Sequence, residues 1–304
     1  MLVMGYPVKD RGSASCRIRY YIFLENMPKE WEHKRYEHGK KCDLIYIQKK
    51  ISDETINIIM NAKNRGIPVI YDRDDIRRRW KEEKYDIVMD NVSAVTTDTE
   101  IRANAIRKFT KTPVYVIPDC LDYGVTPEHK IEIRDTITKV VTYGRWKGTE
   151  AAAPFFARCP YPTRYFCDRK LNALKGSKYK EWKLEKFLSR LRKCDVAIIA
   201  HKDSWVMPMK SNNRILVAMS IGLPVLALTS PAYDETLKAA GHPELIIKNP
   251  KQTKKKLKYL ESPEVRQKIS DDLFDYAWKN YRPELSSGKL TELMRKVIDA
   301  KKTL

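Results

Sequence analysis

The chain has 304 residues, 42% of them apolar, which supports one large domain or two ordinary ones and argues against disorder. Charged residues make up 32%, mean hydropathy is −0.55, and the longest mostly apolar run, Val217 to Leu228, contains a Gly and a Pro, so no segment reads as a membrane-spanning helix. Lys and Arg number 59 against 39 Asp and Glu, and this net charge of +20 points to a polyanionic partner.

The excess is uneven: residues 1–150 hold 28 basic and 23 acidic side chains, whereas residues 151–304 hold 31 and 16. The start, MLVMGYPVKDRG, has neither a basic-to-apolar lead nor a small-residue cleavage site, which predicts a cytoplasmic protein. Six cysteines and five histidines are dispersed, with no CxxC pair. Reduced thiols are therefore expected, with no zinc site and no metal implied.

Strand-like and helix-like runs alternate along the chain. Leu44–Ile47 is a short apolar strand, followed by a helical pattern over Asp53–Asn64. Gly66–Tyr71 reads as a turn and strand, Val92–Thr97 as a strand, Asp98–Phe109 as a helix and Val114–Ile117 as a strand stopped by Pro118. Strands over Lys139–Tyr143, Arg164–Cys167 and Asp195–Ile199 follow, then a helix over Asn213–Ile221 and a strand over Pro224–Leu228. The tail from Pro263 reads as helices interrupted around Arg282–Gly288. Short buried strands joined by helices predict an α/β class with parallel sheets and crossover connections. The pattern restarts near residue 137. This gives an expected first domain over 1–136, a second over 137–280, and a C-terminal helix over 281–304 that packs back on the first. Two such Rossmann-like sheets are expected to face a cleft lined by the carboxyl ends of their strands.

The chemistry-bearing residues fall where those strands end. Asp195–Tyr233 reads strand, polar loop, helix opening at Ser211-Asn-Asn-Arg214, then Gly222-Leu-Pro and a strand. Ser211 or Asn212 is placed to cap that helix, and Lys210 and Arg214 add charge suited to a diphosphate. An ordinary cap with solvated bases is the competing reading. Asp72, Asp74 and Asp75 stand just past a strand end, where Asp72 or Asp75 fits a carboxylate that takes a hydroxyl proton. The same residues also suit capping a helix from Ile76, or pairing with Arg73 and Arg77.

The order "strand, loop, K-S-x-N-R, helix, G-L-P-V, strand, PAY" resembles the donor half of GT-B nucleotide-sugar glycosyltransferases. Val141–Gly148 (VTYGRWKG) is similar to their "strand, GR, KG". Ile67–Asp75 (IPVIYDRDD) resembles their "PVIYDxDD", and Val95–Glu100 followed by Val116–Asp119 resembles "VTxST-E … VIPN". The likeness spans roughly residues 65–235 in the family's order. It implies sugar transfer from a nucleotide diphosphate, UDP-glucose or similar, to a hydroxyl. By that resemblance Arg145 and Lys147 contact the diphosphate, Asn213 and Arg214 hold phosphate or ribose, and His201, Lys202 and Asp203 face the sugar, with His201 and Asp203 among the catalytic candidates. The loop Gly12–Arg19 reaches toward the donor phosphates in this fold. Arg17 and Arg19 diverge on a helix, so one of them, Arg17, is expected in the cleft. The chain departs from the family at Val217, where many relatives carry a ribose-binding Glu.

For the acceptor, three basic segments matter. Arg77, Arg78 and Arg79 follow the aspartates; Arg158–Lys193 holds 12 basic residues against 3 acidic, including Lys175, Lys178 and Lys180, interleaved with aromatics; and Lys251–Lys258 holds five lysines. Cations suit a phosphate backbone and aromatics suit an extruded base. The pattern resembles a phage-type DNA glycosyltransferase, which implies double-stranded DNA with a hydroxymethylpyrimidine as acceptor, in the cytoplasm of an infected bacterium. Two alternatives remain at this point. One is a transferase of envelope glycan precursors at an anionic membrane, with Tyr179–Arg192 as the nearest thing to an amphipathic anchor. The other is a non-catalytic nucleic-acid-binding protein on a decayed scaffold.

Overall fold

The structure is a computed structural model that describes residues 1–75, 83–122 and 124–302. By contacts the chain divides into two compact units, Met1–Tyr123 with Tyr281–Leu304, and Gly124–Asn280. The division falls somewhat before residue 137 because the intervening loop is tied to the second unit. Ile131 N–H donates to Ile221 O at 2.9 Å, and the Arg266 guanidinium binds Arg134 O and Asp135 O.

The first unit is built on six parallel strands, β1 (Leu2–Tyr6), β2 (Glu32–Arg35), β3 (Leu44–Gln48), β4 (Val69–Asp72), β5 (Ala94–Thr97) and β6 (Val114–Val116), in the order β2-β1-β3-β4-β5-β6. Residues in β3, β4 and β5 are buried throughout, as a sheet covered on both faces requires. The helix Asp53–Asn64 begins where Ser52 accepts from Thr55 N–H at 3.2 Å, with Asp53 and Glu54 in its first turn. The helix Glu100–Arg107 is capped likewise by Thr99, so the element starts two residues later than the apolar pattern suggested. In the tail the helix Pro263–Asn280 ends before Tyr281. A second helix, Pro283–Lys302, starts with Pro at its first position and runs through Gly288, so the break lies at Tyr281–Arg282 alone. Leu290, Met294 and Ile298 of that helix enter the first unit's core beside Ile18, Ile22 and Phe23, and Ser287 Oγ donates to Phe23 O at 2.6 Å.

The second unit repeats the plan with β7 (Val140–Tyr143), β8 (Thr163–Cys167), β9 (Lys178–Glu181), β10 (Val196–Ile199), β11 (Val225–Leu228) and β12 (Ile246–Ile247), all parallel, in the order β12-β11-β10-β7-β8-β9. The strand order reverses between β7 and β10, and open α/β sheets bind ligands at the carboxyl ends flanking such a switch. The helix Asn213–Met219 stops at Gly222, whose φ of +68° allows Leu223 N–H to turn back to Ala218 O at 2.9 Å. The Gly-Leu-Pro sequence is thus a helix stop feeding straight into β11. Together these features are the two-sheet α/β architecture of GT-B proteins.

The segment resembling a membrane anchor has another use. In the helix Leu184–Leu191, Phe187 and Leu191 are buried, and the Phe187 ring meets Tyr143, Phe166 and Trp182 at centroid distances of 5.2, 6.2 and 5.9 Å. Phe187 and Leu191 of its apolar stripe belong to the core, and Leu184 and Leu188 are half-buried. No described helix is long and apolar enough to cross a membrane.

Candidate functional site

At the switch point of the second sheet, Arg214 works as a strut. Its Nη1 donates to Ala200 O at 2.7 Å and its Nη2 to Tyr143 O, so one guanidinium joins the carboxyl ends of β10 and β7. Tyr143 returns a bond from its hydroxyl to Arg214 O at 2.7 Å. The turn after β7 has glycines where the strut passes. A Cβ on Gly144, whose φ is +129°, would stand 3.1 Å from Arg214 Nε, and one on Gly148 would stand 3.0 Å from Nη1. The G-R-W-K-G spacing is therefore the space the Arg214 side chain occupies.

Four polar groups here are buried without a hydrogen-bond partner: His201 Nε2, Asn213 Nδ2, Arg214 Nε and Tyr233 Oη. Buried polar atoms in folded proteins are almost always paired with protein, water or a ligand, so these four can take a partner from outside the chain. The His201 ring stacks on Tyr233 at 4.9 Å between centroids, with 30° between planes. Burial pushes the His201 imidazolium down to about 3, and the charges of Arg214 and Lys210 push the same way, so the ring is neutral at physiological pH. Asn213 and Arg214 Nε offer N–H groups, and Tyr233 and neutral His201 offer one donor or acceptor each. The set suits an oxygen-rich anion.

Beside it, Arg145 and Lys147 are exposed on the turn after β7. Lys147 Nζ and the Arg169 guanidinium lie 5.3 and 5.2 Å from the centre of the Trp146 ring, and Trp146 N–H donates to Asp168 Oδ1 at 3.0 Å. Lys210 and Ser211 are half-buried, and Asp203 is exposed in the loop after β10. The structure thus gathers His201, Asn213 and Arg214 around one point, with Arg145 and Lys147 on the adjoining turn. The cap expected of Ser211 or Asn212 is absent: Asn212 occupies the cap position without a side-chain bond to the helix, and its Nδ2 donates to Thr236 Oγ1 at 2.9 Å. Val217 is buried, so the position of the family's Glu offers no carboxylate.

The first unit corrects two expectations. Arg17 does not face an open site. It is 1% exposed, and its Nε and Nη2 bind both oxygens of Asp122 at 2.6 and 2.7 Å. Asp72 is not placed to reach an acceptor. It is fully buried, gripped by Arg19 at 2.7 Å and by Thr96 Oγ1 at 2.7 Å. Arg19 also binds Asp119 Oδ1 at 2.9 Å and Ile117 O at 2.8 Å. Burial opposes the Arg19 charge, but Asp72 and Asp119 together hold its guanidinium well above the ordinary range. A π-helix over Arg17–Ile22 carries both arginines into these pairs, whose partners lie 53 to 105 residues away. Nothing local in the sequence announces them.

Asp75, with its side chain 47% exposed, is the most open carboxylate of the three, and it pairs with Lys49. Lys49 also binds Asp74 at 3.1 Å, and its φ of +62° is unusual for a residue with a side chain. Sequence reasoning missed Lys49, Tyr233, Asp168 and Arg169. The PAY motif was the one signal that could have found Tyr233. Arg77, Arg78 and Arg79 lie outside the described residues. Lys175, Lys178 and Lys180 are exposed on or beside the edge strand β9, where Lys178 pairs in register with Arg164.

No protein-family model matches the sequence, and no curated protein matches it. Solved structures do. The Anabaena Alr3699/HepE structure in complex with UDP is 12% identical, with a TM-score of 0.69 over 97% of this chain and 99% of that one. AviGT4, a glycosyltransferase involved in avilamycin A biosynthesis, is 10% identical with a TM-score of 0.59 over 98% of each chain. The Thermobaculum terrenum O-GlcNAc transferase, as its K341M mutant, is 11% identical with a TM-score of 0.61 over 100% of this chain and 68% of that one. At such identities the likeness defines the fold, which is that of nucleotide-sugar glycosyltransferases.

Proposed function

We propose that this chain is a glycosyltransferase that moves a sugar from a nucleotide donor, UDP-glucose or similar, to the hydroxyl of a hydroxymethylpyrimidine base in DNA. The observation that carries the donor half is the cluster of unpartnered buried groups at the β7/β10 switch point: His201, Asn213, Arg214 and Tyr233. The retention of Arg145, Lys147, Asn213 and Arg214 weighs against a binding-only relic. In the transfer the acceptor oxygen bonds to the anomeric carbon as the bond to the diphosphate breaks, and the hydroxyl proton leaves to a base. Arg145 and Lys147 stabilise the charge that grows on the leaving diphosphate. Asn213 and the Arg214 Nε–H bind phosphate or ribose oxygens, while neutral His201 and exposed Asp203 meet the sugar. Asp75 is the carboxylate we assign to the acceptor proton.

The acceptor half rests on charge. The net +20 of the chain, with Arg164, Lys175, Lys178 and Lys180 along β8 and β9, suits a phosphate backbone. The nearest candidate for a membrane anchor buries Phe187 and Leu191 in the core, which leaves the envelope-glycan reading resting on the same positive charge alone. The test is mass spectrometry of nucleosides after incubation with a panel of nucleotide sugars and DNA containing hydroxymethylcytosine, hydroxymethyluracil or neither. The proposal predicts one sugar mass added to one modified base. Nucleotide-sugar hydrolysis with every nucleoside unchanged would discard DNA as acceptor.

A further inference from the structure

The segment after β12 breaks two rules of helix electrostatics. Six of the eleven residues 248–258 are lysine and none is acidic. A short helical turn over Pro250–Gln252 leads into the helix Thr253–Tyr259. Along it Lys251, Lys254, Lys255 and Lys258 recur at the spacing that places them on one helical face, and all four are exposed. Like charges at this spacing repel, and lysines in a first turn oppose the helix dipole, which favours anions there. Among the described residues none of the four pairs with a carboxylate. The following helix behaves otherwise: its Lys268 pairs with Asp272, and its Asp271 takes Lys130, both at 2.7 Å. The inner face of the lysine segment is well seated, since Thr253, Leu257 and Leu260 are fully buried and Lys256 Nζ donates to Glu244 O. Arg158, also exposed, lines one groove with Lys251, Pro154, Asn249 and Pro250.

We propose that this lysine stripe, with Arg158, is a docking surface for the phosphate backbone of duplex DNA. It deepens the acceptor half of the transferase reading, on which the choice of DNA rests. From Lys251 to Lys258 the stripe is about 10 Å long at roughly 1.5 Å per residue. That matches about three phosphates of one strand, at roughly 3.4 Å of duplex axis each. The stripe begins at the carboxyl edge of the second sheet, where β12 lies two strands from β10, about 10 Å at ordinary strand spacing. DNA held there is close to a base presented at the switch point. An anionic membrane fits less well, because stable attachment takes apolar groups besides bases, and Tyr259 is the single apolar side chain this helix exposes.

The full-length protein and its Lys251→Gln/Lys254→Gln/Lys255→Gln/Lys258→Gln variant are titrated with a fluorescent unmodified duplex over a range of salt concentrations. A control variant replaces four exposed lysines of the first unit, Lys29, Lys40, Lys41 and Lys108, by Gln and so has the same net charge. In the stripe variant the log–log salt slope should become shallower by about three, and affinity at moderate salt should fall roughly tenfold or more. The control should keep the wild-type slope. With repulsion removed and Gln as good a helix former as Lys, the stripe variant should melt no lower than the wild type. A stripe variant with the wild-type slope, or an equal loss in both variants, overturns the docking surface while leaving sugar transfer by the wild type untouched. A wild type that ignores the duplex but binds phosphatidylserine vesicles through these lysines overturns it in favour of a membrane. A wild type that binds the duplex through the stripe yet modifies no nucleoside upholds the surface and overturns the acceptor reading.

Discussion

Replacing Arg19 with Met tests whether the buried charges of the first unit are structural. The substitution keeps the length and apolar body of the side chain but leaves Asp72, which is fully buried, and Asp119 without their shared cation. Breaking a buried pair by removing one partner costs about 3–5 kcal/mol, because the remaining charge has neither water nor a counterion. At about 2–4 °C per kcal/mol for a unit of this size, the melting transition should fall by roughly 6–20 °C. Differential scanning calorimetry of the wild type, Arg19→Met and the double variant Arg19→Met/Asp72→Asn measures this. The double variant should recover part of the loss, since it removes one of the stranded charges. A shift under 2 °C in Arg19→Met, accompanied by loss of turnover, would refute the reasoning and return Arg19 to the binding site.

Three further outcomes follow from the geometry. Gly144→Ala forces a side chain into a left-handed backbone position and against Arg214, so it should destabilise the second unit by about 1–3 kcal/mol in urea unfolding and lower transfer as well. Burial alone would push the Asp74 carboxyl up, but the Lys49 charge, a hydrogen bond from Ser15 and the charges of Arg19 and Arg102 together outweigh it and hold the group at about 2. Its contribution, roughly 2 kcal/mol, is therefore present above pH 4 and is lost as the pH falls toward 2. Lys49→Met should accordingly move the acid-unfolding midpoint to higher pH, and an unchanged midpoint would contradict the pairing. His201, pushed down to about 3, should remain neutral throughout the range in which the protein is active. Imidazole nitrogen shifts in NMR spectra between pH 5 and 8 test this, and a titration midpoint near 6.5 would mean that the ring is solvated.

The central strands were legible because they are buried on both faces, as in Leu44–Ile47 and Asp195–Ile199, and such strands carry their own apolar signature. Two of the edge strands were not. Glu32–Arg35 is exposed at every residue and Lys178–Glu181 at all but Tyr179, so neither has an apolar face to read. At the switch point the resemblance to the GT-B donor half singled out His201, Asn213 and Arg214, and the helix-opening pattern marked Arg214 as well. What neither gave was Arg214's use as a strut, which depends on carbonyls at Tyr143 and Ala200 that no side-chain pattern encodes. Arg17 and Asp72 were misjudged for a related reason. A charged residue after a strand looks like a site residue until its partner is known, and here the partners, Asp122 and Arg19, come from distant segments.

The measurement that bears most directly on the account is calorimetric titration of UDP into the wild type and into Arg145→Ala/Lys147→Ala. Both side chains are exposed, so the variant should fold as the wild type does. Each charge-assisted contact is worth about 1.5–3 kcal/mol, which predicts a loss of affinity of at least a hundredfold for the pair. Equal UDP affinity in the two proteins, or no binding by the wild type, would contradict the assignment of a nucleotide-sugar site to the carboxyl ends of β7 and β10.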